Sequence, residues 1–249
     1  MPGADSILTP TQARTRLLAA YAAVTLAALA GIAAIWWHAR SPRAVHVAGP
    51  VSSATAAASA STTASASANA AGIGPITVLT GRELVNGLYL GYPHTLQGAV
   101  SAADQFMTQY LSTLDPDRGA AIARLAADSN FANAPATLAA SIQTERQGLG
   151  IAATGQVPAN YALATTPVEY QLRDASPDTA TVLLLADVTS STPASGTATN
   201  IAVLTVAVHW DGADWKLLTP PDGDPYLHLA AQPDSAQAAQ NGWADLLNG

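Results

Sequence analysis

From Leu17 to Trp37 the chain reads LLAAYAAVTLAALAGIAAIWW, 21 consecutive residues without a charge. As a helix rising about 1.5 Å per residue, such a run spans the roughly 30 Å hydrocarbon core of a bilayer. The sequence therefore predicts one transmembrane helix over 17–37, with residues 1–16 as a cytoplasmic tail. A cleavable signal peptide is the competing reading. Its apolar region is shorter, about 7–15 residues, and is followed by a small-residue cleavage site. Here the run ends in Trp36 and Trp37, an aromatic pair suited to the membrane interface. Arg14 and Arg16 before the helix balance Arg40 and Arg43 after it, so basic residues leave the orientation tied. The short tail and the long acidic region that follows favour an inside N-terminus. The expected localisation is a single-pass cell-membrane protein with its C-terminal domain extracytoplasmic.

Residues 38–74 are expected to be a disordered linker rich in Ala, Ser and Thr. Within it, Val51 to Ala71 carries no charge, no aromatic and no large aliphatic side chain after Val51 itself, so it has nothing to bury. Folding is left to residues 75–222, with 223–249 read as a weakly helical C-terminal tail in which Trp243, Leu246 and Leu247 are docking candidates. The whole chain has no cysteine, which removes disulfides, thiolate catalysis and cysteine metal sites. Four of its ten basic residues precede Gly72, against one of its seventeen acidic residues. The remainder is thus near -10, carries no basic cluster and is expected to bind no nucleic acid.

Periodicity divides the folding part in two. Thr95 can cap a helix whose apolar positions Val100, Ala103, Phe106, Met107, Tyr110, Leu111 and Leu114 follow three-and-four spacing. Pro116 opens a second helix with Asp117 in its first turn. A third runs from about Pro135 to Gln147 and is ended by Gly148 and Gly150. Beyond it the period becomes two. Val168, Tyr170 and Leu172 alternate with Glu169, Gln171 and Arg173, and a turn at 176–179 leads into two long apolar strands over 179–190 and 199–210. Residues 75–94 read as a short extended lead-in. The fold class is α+β, with three helices packed on a four-stranded antiparallel sheet.

The last strand pair, VLTVAVHWDGADWKLL, holds the densest chemistry. Asp211-Gly212 between apolar runs predicts a two-residue hairpin turn. That register sets Trp210 opposite Ala213, His209 opposite Asp214 and Val208 opposite Trp215. Val206, Val208, Trp215 and Leu217 then share the buried face, and His209, Asp214 and Lys216 the other. Turn chemistry accounts for these polar residues better than a metal site, because His94 and His228 have no spacing that supplies further ligands.

Three helices followed by that hairpin resemble the nuclear transport factor 2-like cone fold. The combination of anchor, tether and one such domain is similar to bacterial conjugation and type IV secretion assembly proteins. It is also similar to actinobacterial membrane proteins associated with mammalian-cell-entry lipid transport. LGYPHTLQGAVSAA, at the start of the first helix, resembles the corresponding stretch of membrane proteins in actinobacteria. The resemblance implies either a non-enzymatic extracytoplasmic module for protein partners or a small-ligand or lipid-binding cone. Cone-fold isomerases and dehydratases place an Asp, His or Tyr in the pocket between helices and sheet, which points to Asp104, Tyr110, Asp187 and His209 as the residues to examine. None has a partner in the sequence, and no phosphate loop, nucleophile elbow or zinc motif occurs. No catalytic, cofactor or metal residue is therefore assigned, and no cofactor is expected. Leu183, Leu185, Ile201 and Val203 make the outer sheet face apolar, which predicts a protein partner or a second copy covering it.

Overall fold

A computed structural model describes residues 74–221, 223 and 225–248. The predicted tail, transmembrane helix and nearly all of the linker lie outside the described residues. Among those described, no helix is long and apolar enough to cross a membrane.

The chain begins with β1 (Ile76–Thr77) and the hairpin β2 (Glu83–Val85) to β3 (Leu88–Leu90). Asn86 and Gly87, with φ of 49° and 73°, form the hairpin's two-residue turn. Helices α1 (Leu96–Leu111), α2 (Pro116–Ala126) and α3 (Ala134–Gly148) follow. Thr95 Oγ1 accepts from Gly98 N at 3.0 Å, and Asp115 Oδ1 accepts from Asp117 N at 3.0 Å, so both first helices start at a side-chain cap. Strands β4 (Ala162–Arg173), β5 (Thr179–Thr192), β6 (Gly196–Trp210) and β7 (Trp215–Leu217) form an antiparallel meander. A 3-10 turn (Leu227–Leu229), helix α4 (Ala236–Asn241) and strand β8 (Ala244–Leu247) complete it.

The sheet corrects the predicted three-helix, four-strand architecture. It has six strands in the order β1-β8-β4-β5-β6-β7 and is mixed, because β1 pairs parallel to β8 while the other pairs are antiparallel. The α+β class stands, but a fourth helix, two added strands and a separate two-stranded hairpin go beyond the expected three helices and four strands. The segment beyond residue 222 contributes a strand to the same sheet. Residues 226–247 are an integral layer, with β8 paired on both sides and the segment before it lying across the sheet.

Each face of the sheet has its own core. Toward α1, Tyr170, Val182, Leu184, Leu204, Val206, Val208 and Trp215 pack with Ala99, Val100, Ala103, Phe106 and Ile122. On the opposite face Leu183, Leu185 and Val203 are covered by Ala238 and Trp243, with Ile201, Tyr226, Leu229 and Ala231 at the margin. The apolar outer face that predicted a partner is thus covered by the chain's own C-terminal segment. Polar anchors hold that segment: Glu169 Oε1 accepts from Asp234 N at 2.8 Å, Gln171 Nε2 donates to Asn241 O at 3.1 Å, and Trp243 Nε1 donates to Leu229 O at 2.9 Å.

Strand β4 begins at Ala162, well before the predicted Val168. The ladder to β5 shifts between Pro167 and Glu169, where proline lacks the N–H a ladder needs. The shift reverses facial parity, so buried Thr165 and buried Tyr170 lie on the same side of the sheet. An alternation count started at Tyr170 therefore breaks at Pro167.

Candidate functional site

A pocket of about 80 Å³ opens where the long strands β4, β5 and β6 extend beneath the ends of α1 and α3. Ala202, Leu204, Val188, Leu163 and Thr165 form its floor, and Tyr110, Leu111, Ile142, Ser141 and Glu145 its walls. Ala202 creates part of this space, since its neighbour along the same face is Leu204. Gly119 on α2 leaves room for Ile142, whose Cδ1 would lie 2.3 Å from any Cβ added there.

Most polar groups of the lining are already engaged. Thr165 Oγ1 donates to Leu111 O at 3.1 Å, and Ser141 Oγ donates to Thr137 O at 3.1 Å. The Tyr110 hydroxyl points at Leu138 O, 3.5 Å away. Burial pushes its phenol above the usual range, a hydrogen bond with Ser141 acts the other way, and the Glu145 charge adds to the rise. Tyr110 is therefore a neutral phenol at neutral pH, and Glu145 brings the lining its one carboxylate. Such a lining favours alkyl carbon inside.

Of Asp104, Tyr110, Asp187 and His209, Tyr110 alone reaches this lining. Asp187 sits half-buried on β5, between Thr166 and Ile201 in the ladder. His209 lies opposite Lys216, not Asp214, and its Nδ1 is 2.8 Å from Asp128 Oδ2. The backbone N–H of Asn130 holds Asp128 below the usual carboxylate range against the opposing effect of burial, and His209 acts in the same direction. His94 Nε2 meets Asp178 Oδ1 at 2.8 Å, with its ring stacked on Trp210 at 4.4 Å, and His228 Nδ1 meets Pro225 O at 3.0 Å. Each of the three described histidines is thus held by a different partner.

Asp104 on α1 is half-buried, and desolvation raises its carboxyl to about 6. The native state thus prefers the protonated form. Its contribution to stability is full below about pH 4, the ordinary range of an unfolded aspartate, and is lost as pH rises through about 6. Asp104→Asn, neutral at every pH, is expected to stabilise the protein by roughly 2–3 kcal/mol at pH 8 and to change little at pH 4. Chemical denaturation of both proteins at the two pH values checks this. An equal effect at both would assign the gain to something other than charge burial.

Sequence reasoning missed Arg146. It is fully buried, and its guanidinium donates to the carbonyls of Leu114, Ala152, Thr154 and Gly155, tying the α3–β4 loop to the α1–α2 turn. It also missed the pocket, which depends on how far β5 and β6 outrun the helices.

Residues 48–243 match the family described as a domain of unknown function, DUF8175. The chain belongs to that family. No curated protein and no solved structure matches it. The DUF8175 match runs through Trp243, so the segment that covers the outer sheet face falls within the family's domain and is not an appended tail.

Proposed function

We propose that this DUF8175 protein is a membrane-tethered, non-catalytic binding protein whose pocket takes the alkyl end of an amphiphile. The observation that carries the reading is the apolar pocket between α1, α3 and the sheet. The uncharged 17–37 run supports a location beside lipid, and the resemblance to lipid-transport-associated membrane proteins agrees with it. Asp104, Asp187 and His209 lie off the lining, which supports binding over catalysis. A sheet-face partner has less support now that the C-terminal segment covers Leu183, Leu185 and Val203.

The test uses the full chain in lipid nanodiscs and a diazirine-tagged decanol, with crosslinked peptides mapped by mass spectrometry. Labelling is expected to concentrate on the segments holding Leu111, Ile142 and Leu204. Ala202→Phe fills the pocket and is expected to remove this labelling while circular dichroism stays unchanged. Labelling that persists in Ala202→Phe, or that spreads evenly over the domain, would overturn the proposal.

A further inference from the structure

Glu169, Asp234 and Asp245 converge at the margin of the covering segment, Glu169 buried and the two aspartates exposed, each offering a carboxylate oxygen within 4.8 Å of the others. They come from three elements: β4, the loop before α4, and β8. Glu169 and Asp245 are direct cross-strand partners, an arrangement in which like charges oppose pairing. Glu169 is 4% exposed. Its Oε1 accepts from Asp234 N at 2.8 Å, whereas its Oε2 is buried with no hydrogen-bond partner. A buried carboxylate oxygen of that kind needs a proton or a cation to satisfy it. No Lys or Arg forms a salt bridge with any of the three among the described residues.

We infer that this triad is a divalent-cation site and that its ion is calcium. The donors are all hard oxygens, without imidazole or thiolate, which selects calcium or magnesium over zinc and copper. Magnesium demands near-ideal octahedral geometry and releases water reluctantly. Calcium accepts an irregular set of carboxylates completed by water, as three side chains from three separate elements provide. The bound ion neutralises the cross-strand repulsion and joins β4, β8 and the start of α4, fixing the layer that covers Leu183, Leu185 and Val203. Neither the pocket nor its occupant enters this inference.

Glu169→Gln is the informative variant, since its amide oxygen keeps an acceptor for Asp234 N while the charge is lost. The full chain in a non-ionic detergent, stripped of metal by chelation, is titrated with calcium chloride to about 10 mM, above the weakest affinities of extracellular calcium modules. Isothermal titration calorimetry and thermal unfolding are followed together. Wild type is expected to bind one calcium and to gain several degrees in Tm. Glu169→Gln and Asp245→Asn are expected to bind at least about tenfold more weakly and to lose the gain. The inference is overturned if wild type binds no calcium in this range, or if the variants respond as wild type does. It is equally overturned if magnesium or matched ionic strength gives the same rise, which reduces the effect to screening.

Discussion

A chain ending at Gln232 is expected to lose cooperative folding altogether. The deletion removes Trp243 and Ala238 from Leu183, Leu185 and Val203, and leaves β1 without β8, its partner in the sheet. Removing a large buried aromatic alone costs about 3–5 kcal/mol, against a total of roughly 5–15 kcal/mol for a typical domain. The deletion adds the exposure of an apolar sheet face and the loss of the β4–β8 ladder. Urea unfolding followed by tryptophan fluorescence is expected to show no sigmoidal transition in the truncated chain. Trp243→Ala in the full chain should retain one, at a lower midpoint. A truncated chain that unfolded at the wild-type midpoint would mean that residues 233–249 are a tail, as their composition suggests.

That composition shows why the C-terminal layer was hard to read. Polar, turn-rich residues separate Tyr226, Leu229, Ala238 and Trp243, so the segment shows no helical or alternating stripe, and β8 is only four residues long. Its role becomes visible from the other side. Leu183, Leu185, Ile201 and Val203 announce an apolar face that something must cover, and the sequence does not say whether the cover is another chain or the same one. Glu169 and Gln171 were read as the solvent side of β4 by alternation; they are indeed on the outer face, but buried by that cover. Local signals fared better where they concern one element. Thr95 caps the first helix as spacing predicts, and Pro116 opens the second with Asp117 in its first turn. Asn86-Gly87 carried a hairpin signal as strong as Asp211-Gly212, inside a stretch read as an extended lead-in.

The hairpin at Asp211 slipped by two residues, and the reason leads to the second large effect, at Asp214. Gly212 takes a positive φ of 98°, but Asp211 does not join it. The Asp211 carboxylate instead accepts from Ala213 N and Asp214 N, both at 2.8 Å, making a four-residue loop in which Trp210 faces Trp215 and Val208 faces Leu217. A slip of two keeps each residue on its face, so Val208, Trp215 and Leu217 stay buried as expected. The predicted His209–Asp214 pair does not form, because Asp214 moves from the strand into the loop. There it is 6% exposed and accepts from Gly91 N at 2.9 Å, Tyr92 N at 3.0 Å and Trp215 N at 2.9 Å. The carboxylate thereby joins the end of the β2–β3 hairpin to the last strand pair. Asp214→Ala strands these donors, each worth about 1–3 kcal/mol when buried and unmet, and is expected to cost about 3–5 kcal/mol in urea unfolding. Asp214→Asn keeps the oxygen facing Tyr92 and Trp215 but turns an amide toward Gly91 N, so its cost should be smaller. Asp211→Ala, at an exposed turn, should cost about 1 kcal/mol or less. Hydrogen exchange separates this account from general loss of stability: the amides of Gly91, Tyr92 and Trp215 are expected to lose protection in Asp214→Ala beyond the global change. If Asp211→Ala proved as damaging as Asp214→Ala, the loop would be held by its turn, not by the tie to Gly91 and Tyr92.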